Sequence, residues 1–329
     1  SKPINGNVSL RLGIMKSLLN RLRLQSDLLP RFLGWAVPAC PFFLEPVLVT
    51  AYTALFWAIA APPRKAVQAN IRVLHPQMPA PAVWWGSFRV FLNFAWTCVD
   101  AERARDGAGA FHWEVDGAER FDQASALDSG LLLLTAHMGN YDVAAAAFAD
   151  RFGKKVHAVR APEPTEELQN FRRAELARNA GDSLAIAYNT AEGMLGIDLI
   201  RALGNGEVVA IQGDRVMFDV SPTFCPFDQN GDNVRLRVPV GPFVLAMTAR
   251  VPILPLFVIR TGMRSYRILC GETFDCVRTS RDKQADLDRA VAHWGHVLEK
   301  VVRPHWDQWF VFEPAFAVEP PSGILSGLG

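Results

Sequence analysis

Short apolar runs and helical patterns alternate along the chain from residue 111 onward. The run Gly130–Thr135 (GLLLLT) is almost wholly apolar, which is typical of a strand buried on both faces of a sheet. The next segment, Asn140–Ala149, has the composition of a helix with Asn140 as its N-terminal cap. The same alternation predicts strands at Lys155–Val159, Glu207–Ile211 and Ile253–Ile259, and helices at Leu168–Asn179, Val240–Ala249 and Asp282–Val302. Strands separated by helices predict an α/β fold with a mostly parallel central sheet flanked by helices.

One segment breaks this alternation. Phe224–Val238 has turn-forming residues at its centre, namely Asp228, Asn230, Gly231 and Asp232. We therefore expect an ordered surface excursion there rather than a strand of a sheet.

The N-terminal region has a different pattern. Before Asp27 all charged residues are Lys or Arg, interleaved with Leu, Ile and Val, which predicts a basic amphipathic helix suited to an anionic bilayer. Leu28–Ala61 is strongly apolar but interrupted by prolines. Its longest clean run, Val47–Ala61, is shorter than the roughly 20 residues of a spanning helix. Two interpretations stay open, a pair of helices buried on the core and a membrane-embedded hairpin or interfacial anchor.

Three regions follow from these patterns. We expect residues 1–62 to form basic amphipathic and apolar helices that associate with membranes, and 63–318 to form the α/β domain, beginning with two helices within Arg64–Val99. Residues 319–329 are rich in Gly, Ser and Pro, which predicts a flexible tail.

Composition narrows the functional classes. The net charge of +1, from 34 Lys and Arg against 33 Asp and Glu, gives no general attraction to nucleic acid. Half of the residues are hydrophobic, which fits contact with a membrane surface. The five cysteines are scattered, and His293 and His296 have no acidic or Cys cluster beside them, so neither a disulfide framework nor a metal site is expected.

The strongest candidate chemistry lies where the strand at 130–135 ends. His137 and Asp142 are five residues apart, which on one continuous helix would set them about 140° apart around the axis. They converge only if His137 precedes the helix, and Gly139 and Asn140 supply such a loop. Asp142 would then accept a hydrogen bond from one imidazole nitrogen and leave the other free as a general base. The alternative is a structural histidine and a helix-capping carboxylate.

These residues resemble a known family. The H-x-x-x-x-D pattern of His137 and Asp142 resembles the signature of the glycerolipid and lysophospholipid acyltransferase superfamily, and HMGNYD resembles its bacterial lipid A late-acyltransferase branch. The resemblance extends through Val156–Leu176, Ile211–Arg215 (IQGDR) and Ala249–Arg260. The chain departs from the branch in having Asp142 where Glu is common.

The resemblance implies an O-acyltransferase. It would move a fatty acyl chain from a thioester, acyl-ACP or acyl-CoA, to a hydroxyl or amine of a lipid or glycolipid acceptor at the cytoplasmic face of the inner membrane. His137 would be the base and Asp142 its orienting carboxylate, with no cofactor beyond the thioester co-substrate, no metal and no nucleic acid partner. Backbone N–H groups near the helix start would stabilise the oxyanion. The implied substrate-binding positions are Gly139, Asn140, Arg160, Gln212, Asp214 and Arg215.

Several alternatives remain at this stage. Arg160 and Arg215 suit phosphate binding, and the alternative for each is a surface ion pair, with Asp214 or Asp219 as partners of Arg215. The aromatic group at Trp306, Trp309, Phe310 and Phe312 suits an acyl tunnel or ordinary packing. An acyl-thioester hydrolase and a non-catalytic lipid-binding protein are the rival functions.

Overall fold

The structure, a computed structural model, describes residues 28–105, 110–162, 165–166, 169–170, 181–189, 194–216, 222–227, 234–279 and 281–318. The helices in this part of the chain are α1 Leu28–Ala39, α2 Glu45–Ile59, α3 Ala61–Leu74, α4 Ala80–Arg105, α5 Ala118–Ser125, α6 Tyr141–Phe148, α7 Leu195–Gly204, α8 Gly241–Ala249 and α9 Lys283–Val302. The strands are β1 His112–Asp116, β2 Leu131–Thr135, β3 Val156–Arg160, β4 Leu184–Tyr188, β5 Val208–Gln212, β6 Pro222–Pro226, β7 Val234–Pro239, β8 Pro252–Gly262, β9 Ser265–Cys270, β10 Phe274–Asp275 and β11 Phe316–Val318.

The central sheet has eight strands and is mostly parallel. Its order is β1-β9-β8-β2-β5-β3-β4, and β10 pairs with β8. The β8–β9 and β8–β10 pairs are antiparallel, and the other pairs are parallel. The predicted α/β class with a mostly parallel sheet is confirmed, and the antiparallel pairs make it a mixed sheet.

Strand β2 lies at the centre of this sheet, between β5 and β8. The side chains from Leu131 to Leu134 are all buried because helices cover both faces. Leu132 and Leu134 join the larger core cluster, with Trp294 of α9, whereas Leu131 and Leu133 face the smaller cluster around Phe152. Strands β3, β4 and β5, which follow β2 in the chain, lie on one side of it, whereas β8 and β9 lie on the other side. The direction in which strands are added therefore reverses at β2. Ligands bind at such reversals, outside the carboxyl ends of the strands.

The expectation of a surface excursion at Phe224–Val238 is wrong. Strands β6 and β7 flank its turn-forming centre and pair antiparallel, and β11 adds a third strand to this separate sheet. Leu236 and Val238 are fully buried because this small sheet packs in the larger core cluster. The alternating pattern of β7 indicated a half-buried strand, but the turn residues before it dominated the prediction.

The apolar N-terminal helices pack on α4, and a buried carboxylate connects them to the α/β body. Glu45, the first residue of α2, receives a hydrogen bond from Arg103 Nε at 2.7 Å and one from Arg264 Nη2 at 2.8 Å. Both arginines also stack over Phe42. This ion cluster joins α2, α4 and the turn between β8 and β9.

No single helix among the described residues is long and apolar enough to span a membrane, whereas α2 and α3, bent by 94°, meet the length and composition test as a pair. The predicted amphipathic helix before Asp27, most of the predicted helix Leu168–Asn179 and the tail from residue 319 lie outside the described residues.

Candidate active site

His137 lies in the loop that follows β2, just before α6, as the sequence predicted. Its side chain is 15% exposed. The Nδ1 atom lies 2.8 Å from Asp214 Oδ1, and the backbone N–H of His137 donates to Asp214 Oδ2 at 2.9 Å. One carboxylate therefore fixes both the ring and the backbone of this residue. With Nδ1 donating to the carboxylate, Nε2 carries the lone pair and is the atom able to accept a proton.

Asp214 follows β5, the strand that pairs with β2. Its side chain is fully buried, and Trp309 Nε1 donates a third hydrogen bond, to Oδ2 at 2.8 Å. The preceding residue is also fixed, because Trp294 Nε1 donates to the carbonyl of Gly213 at 2.8 Å. Burial by itself raises the pKa of Asp214, but the charge of His137 and the hydrogen bonds from His137 and Trp309 outweigh it and hold that pKa below its ordinary value. The carboxylate thus stays ionised.

The backbone of the loop is pinned by the segment that follows α9. Phe310 N–H donates to the carbonyl of His137 at 2.8 Å, and Met138 forms an isolated antiparallel bridge with Trp309. Gly139 has φ +55°, and a Cβ there would lie 2.1 Å from the Val258 carbonyl oxygen of β8. Only glycine combines this conformation with so close an approach of two backbones.

Asn140 supports the fold of the loop. Its side-chain oxygen caps α6 by accepting from Val143 N at 3.3 Å, and its Nδ2 donates to the Thr97 carbonyl of α4 at 3.0 Å. Because the side chain is 4% exposed and both ends are used, it orients the helix start. The contribution of Gly139 and Asn140 to oxyanion binding stays a prediction about their backbone N–H groups.

Asp142 occupies the first turn of α6, as expected, but it does not hold His137. Its carboxylate forms an ion pair with Arg160 Nη2, at the end of β3. Asp214 lies beside Nδ1 instead. It follows the carboxyl end of β5, which is the strand next to β2, and its side chain is buried there. The expected hydrogen bond between Asp142 and His137 is therefore wrong, because Asp214 is the acid at Nδ1. Arg160 forms an ion pair with Asp142, which was the alternative to phosphate binding.

Arg215 is likewise paired, here with an acid that the sequence did not suggest, whereas the suggested partner Asp219 lies outside the described residues. Its Nε lies 3.1 Å from Glu313 Oε1, in the segment after α9. Gln212, the last residue of β5, extends into the same edge, and its Nε2 atom is buried.

The sequence reasoning missed Trp309 as a site residue and assigned no orienting role to Asp214. The aromatic group at 306–312 was considered for an acyl tunnel or packing, and Phe310 and Phe312 do pack on Phe94. Trp309 differs in donating its indole N–H to Asp214. No local sequence pattern marks this role, since Trp309 is far from His137 in the sequence.

The fold and the site together define a mixed α/β protein with a carboxylate-bound histidine at the carboxyl edge of its central sheet. The chain belongs to the bacterial lipid A biosynthesis acyltransferase family, whose profile matches residues 16–317. No curated protein matches the sequence. Family membership confirms the resemblance to the lipid A branch and makes the protein an acyltransferase of lipid biosynthesis.

Replacing Gly139 by Ala tests the close approach of the loop to β8. Gly153 has φ +60° and nothing within 4 Å of the position that a Cβ would take, so Gly153→Ala introduces the backbone strain alone, about 1 kcal/mol. Gly139→Ala adds the contact with Val258 O, and we expect its free energy of unfolding to fall by a further 1–3 kcal/mol or so. Urea denaturation of both variants measures the difference, and equal losses would contradict the geometry.

The roles of the two carboxylates are separable by kinetics. Asp214→Asn removes the charge that fixes the His137 tautomer and stabilises the imidazolium, so we expect kcat to fall by about 10³–10⁴-fold. Asp142→Asn and Arg160→Gln disrupt one ion pair, and we expect the double variant to lose little more activity than either single variant.

Asp198→Asn, an exposed change on α7, is the control for this series. An Asp214→Asn enzyme with near-normal kcat would contradict the proposed orientation of His137. Additive losses in the Asp142 and Arg160 variants would show that the two residues act separately.

Proposed function

We propose that the protein transfers a fatty acyl group from an acyl thioester, acyl-ACP or acyl-CoA, to a hydroxyl or amine of a lipid or glycolipid acceptor. The single observation that carries the proposal is the contact of His137 Nδ1 with the buried, ionised Asp214 at 2.8 Å. This contact leaves Nε2 as a proton acceptor, and family membership supplies the reaction class.

The proposed reaction needs no acyl-enzyme. The acceptor oxygen or nitrogen attacks the thioester carbonyl carbon while its proton moves to His137 Nε2, which forms a tetrahedral intermediate and an imidazolium. The carbon–sulfur bond then breaks, the carbonyl is restored, and the departing sulfur takes the proton from the imidazolium. Asp214 stabilises the positive ring between these two steps, because its fully buried charge lies against Nδ1.

Acceptor recognition is proposed for the same sheet edge, where Arg160 ends β3 and Arg215 follows β5. Both guanidinium groups have carboxylate partners, Asp142 and Glu313. Each pair is partly exposed, so an incoming anionic group would meet a preoriented guanidinium rather than a mobile side chain. A phosphate group of a glycolipid acceptor would compete with these two carboxylates for the guanidinium groups.

We also propose that the protein rests on the cytoplasmic face of the inner membrane. The support is a set of exposed large apolar side chains on α1, α2, the α1–α2 loop and the start of α4, here called the apolar face. Its members are Phe32, Trp35, Phe42, Phe43, Leu44, Val47, Leu48, Tyr52, Leu55, Ile59, Trp84 and Trp85. Phe43 is 77% exposed and Trp35 72%, and groups of exposed apolar side chains mark sites of interaction with membranes or proteins. The Lys and Arg residues before Asp27 suit the anionic lipid surface.

Acyl transfer is tested with purified protein, a thioester donor and a glycolipid acceptor, with products detected by mass spectrometry. We expect an acylated acceptor from the wild-type protein. His137→Ala should lower the rate by about 10²–10⁴-fold because the general base is lost. His112→Ala, which changes an exposed histidine on β1, is the matched control.

Each rival function gives a different result in this assay. Release of free fatty acid without acylated acceptor would identify a thioester hydrolase. A lipid-binding protein without catalysis would show no turnover and no response to His137→Ala. Either result would overturn the proposed transfer.

Membrane binding is tested by sedimentation with phosphatidylglycerol vesicles. The double change Val47→Ser and Leu55→Ser removes two exposed members of the apolar face, so we expect vesicle affinity to fall by about tenfold or more while the fold persists. Met194→Ser with Ile197→Ser, two exposed apolar residues at α7, is the matched control. Equal affinity of the two double variants would contradict the assignment of this face.

A further inference from the structure

Tyr141 lies beside the proposed base. Its ring is edge-on to the His137 ring, with 6.1 Å between centroids and planes 79° apart. The ring packs against the cluster of Ala144, Val258 and Tyr266, which fixes its position on the α6 side of the sheet. Burial and the charge of Asp142 raise the pKa of Tyr141 to about 12. Its hydroxyl therefore stays protonated and able to donate at neutral pH.

Gln212 brings a second donor to the same place. It ends β5 two residues before Asp214, and its side chain lies close enough to the Tyr141 hydroxyl to lower the pKa of that group somewhat. The Gln212 Nε2 atom is buried, yet it makes no aligned hydrogen bond within the described part of the chain. A buried amide donor left in this state costs about 1–3 kcal/mol. Such a group in a native site calls for an explanation, and a catalytic role is one of them.

The two groups share one chemical property, since each has an N–H or O–H to donate. An oxygen that becomes negative during the reaction is the natural partner for two donors that converge near a general base. The positions also agree, because Gln212 pairs with Thr135 at the end of β2 and Tyr141 opens the helix after the His137 loop. Both side chains thus meet at the sheet edge where the base lies.

We propose that the Tyr141 hydroxyl and the Gln212 amide donate hydrogen bonds to the thioester carbonyl oxygen as it becomes an oxyanion. This inference rests on the proposed acyl transfer and assigns two catalytic residues to it. When the acceptor attacks, the carbon–oxygen π electrons move onto this oxygen, and the two donors stabilise the negative charge. When the intermediate collapses, the electrons return to the carbonyl, the carbon–sulfur bond breaks and the sulfur leaves as a thiol with the proton from the imidazolium.

The competing assignment gives these donors to the attacking oxygen of the acceptor. The two assignments differ in kinetics. Donors to the oxyanion act in the transition state and set kcat, whereas donors to the acceptor act already in the bound complex and set its KM.

The test measures acyl transfer by Tyr141→Phe and Gln212→Met variants at saturating thioester, over a range of acceptor concentrations. Tyr141→Phe keeps the ring that packs against His137 and removes only the hydroxyl. We expect kcat to fall by about 100-fold or more in each variant, with acceptor KM within about threefold of wild type. Tyr188→Phe, which removes a hydroxyl from another buried tyrosine, on the edge strand β4, is the control and should keep wild-type kinetics.

Two further readouts separate a chemical role from a structural one. The thermal midpoint of Tyr141→Phe should match wild type, and the pH dependence of kcat should be unchanged because Tyr141 is not the group that titrates in the neutral range. If Tyr141→Phe fails to fold, Gln212→Met carries the test by the same criteria.

The inference is overturned if both variants keep kcat within about threefold of wild type, or if acceptor KM rises while kcat is retained. Failure of the proposed function has a different signature. In that case the wild-type protein forms no acylated acceptor, or His137→Ala retains full activity.

Discussion

The contact between His137 and the buried carboxylate of Asp214 constrains the whole site. One carboxylate accepts the ring N–H, the backbone N–H of the same residue and the indole N–H of Trp309. Burying an ionised group is costly unless such donors satisfy it, so these three partners are what permit a charge in the core. In return, the charge fixes the tautomer of His137.

Several parts of the fold position this carboxylate against the loop after β2. Strand β5 lies directly beside β2, and Trp294 of α9 holds the turn at Gly213. Glycine at position 139 lets the loop approach β8 closely enough for His137 to precede the helix. The pairing of Asp142 with Arg160 joins the first turn of α6 to the end of the next strand, β3.

The sequence allowed the sheet and the loop to be predicted because those signals are local. The apolar run 130–135 and the cap Asn140 mark β2 and α6 within a few residues, and the structure confirms both. The orienting acid could not be chosen in this way. Asp142 was near in sequence and Asp214 was not, and only the pairing of β2 with β5 decides which carboxylate reaches Nδ1. Trp309 had no signal at all, since its role depends on how the segment after α9 returns to the loop.

The position of Trp309 has a consequence for how the site is assembled. The loop that contains His137 is synthesised well before residues 309 and 310. Only when these two residues have been synthesised and have reached the loop can Trp309 donate to Asp214 and Phe310 N–H donate to the His137 carbonyl. A nascent chain can thus contain all of the helices α1–α4 well before the ring of His137 is held in place. The orientation of this histidine would be completed only near the end of biosynthesis.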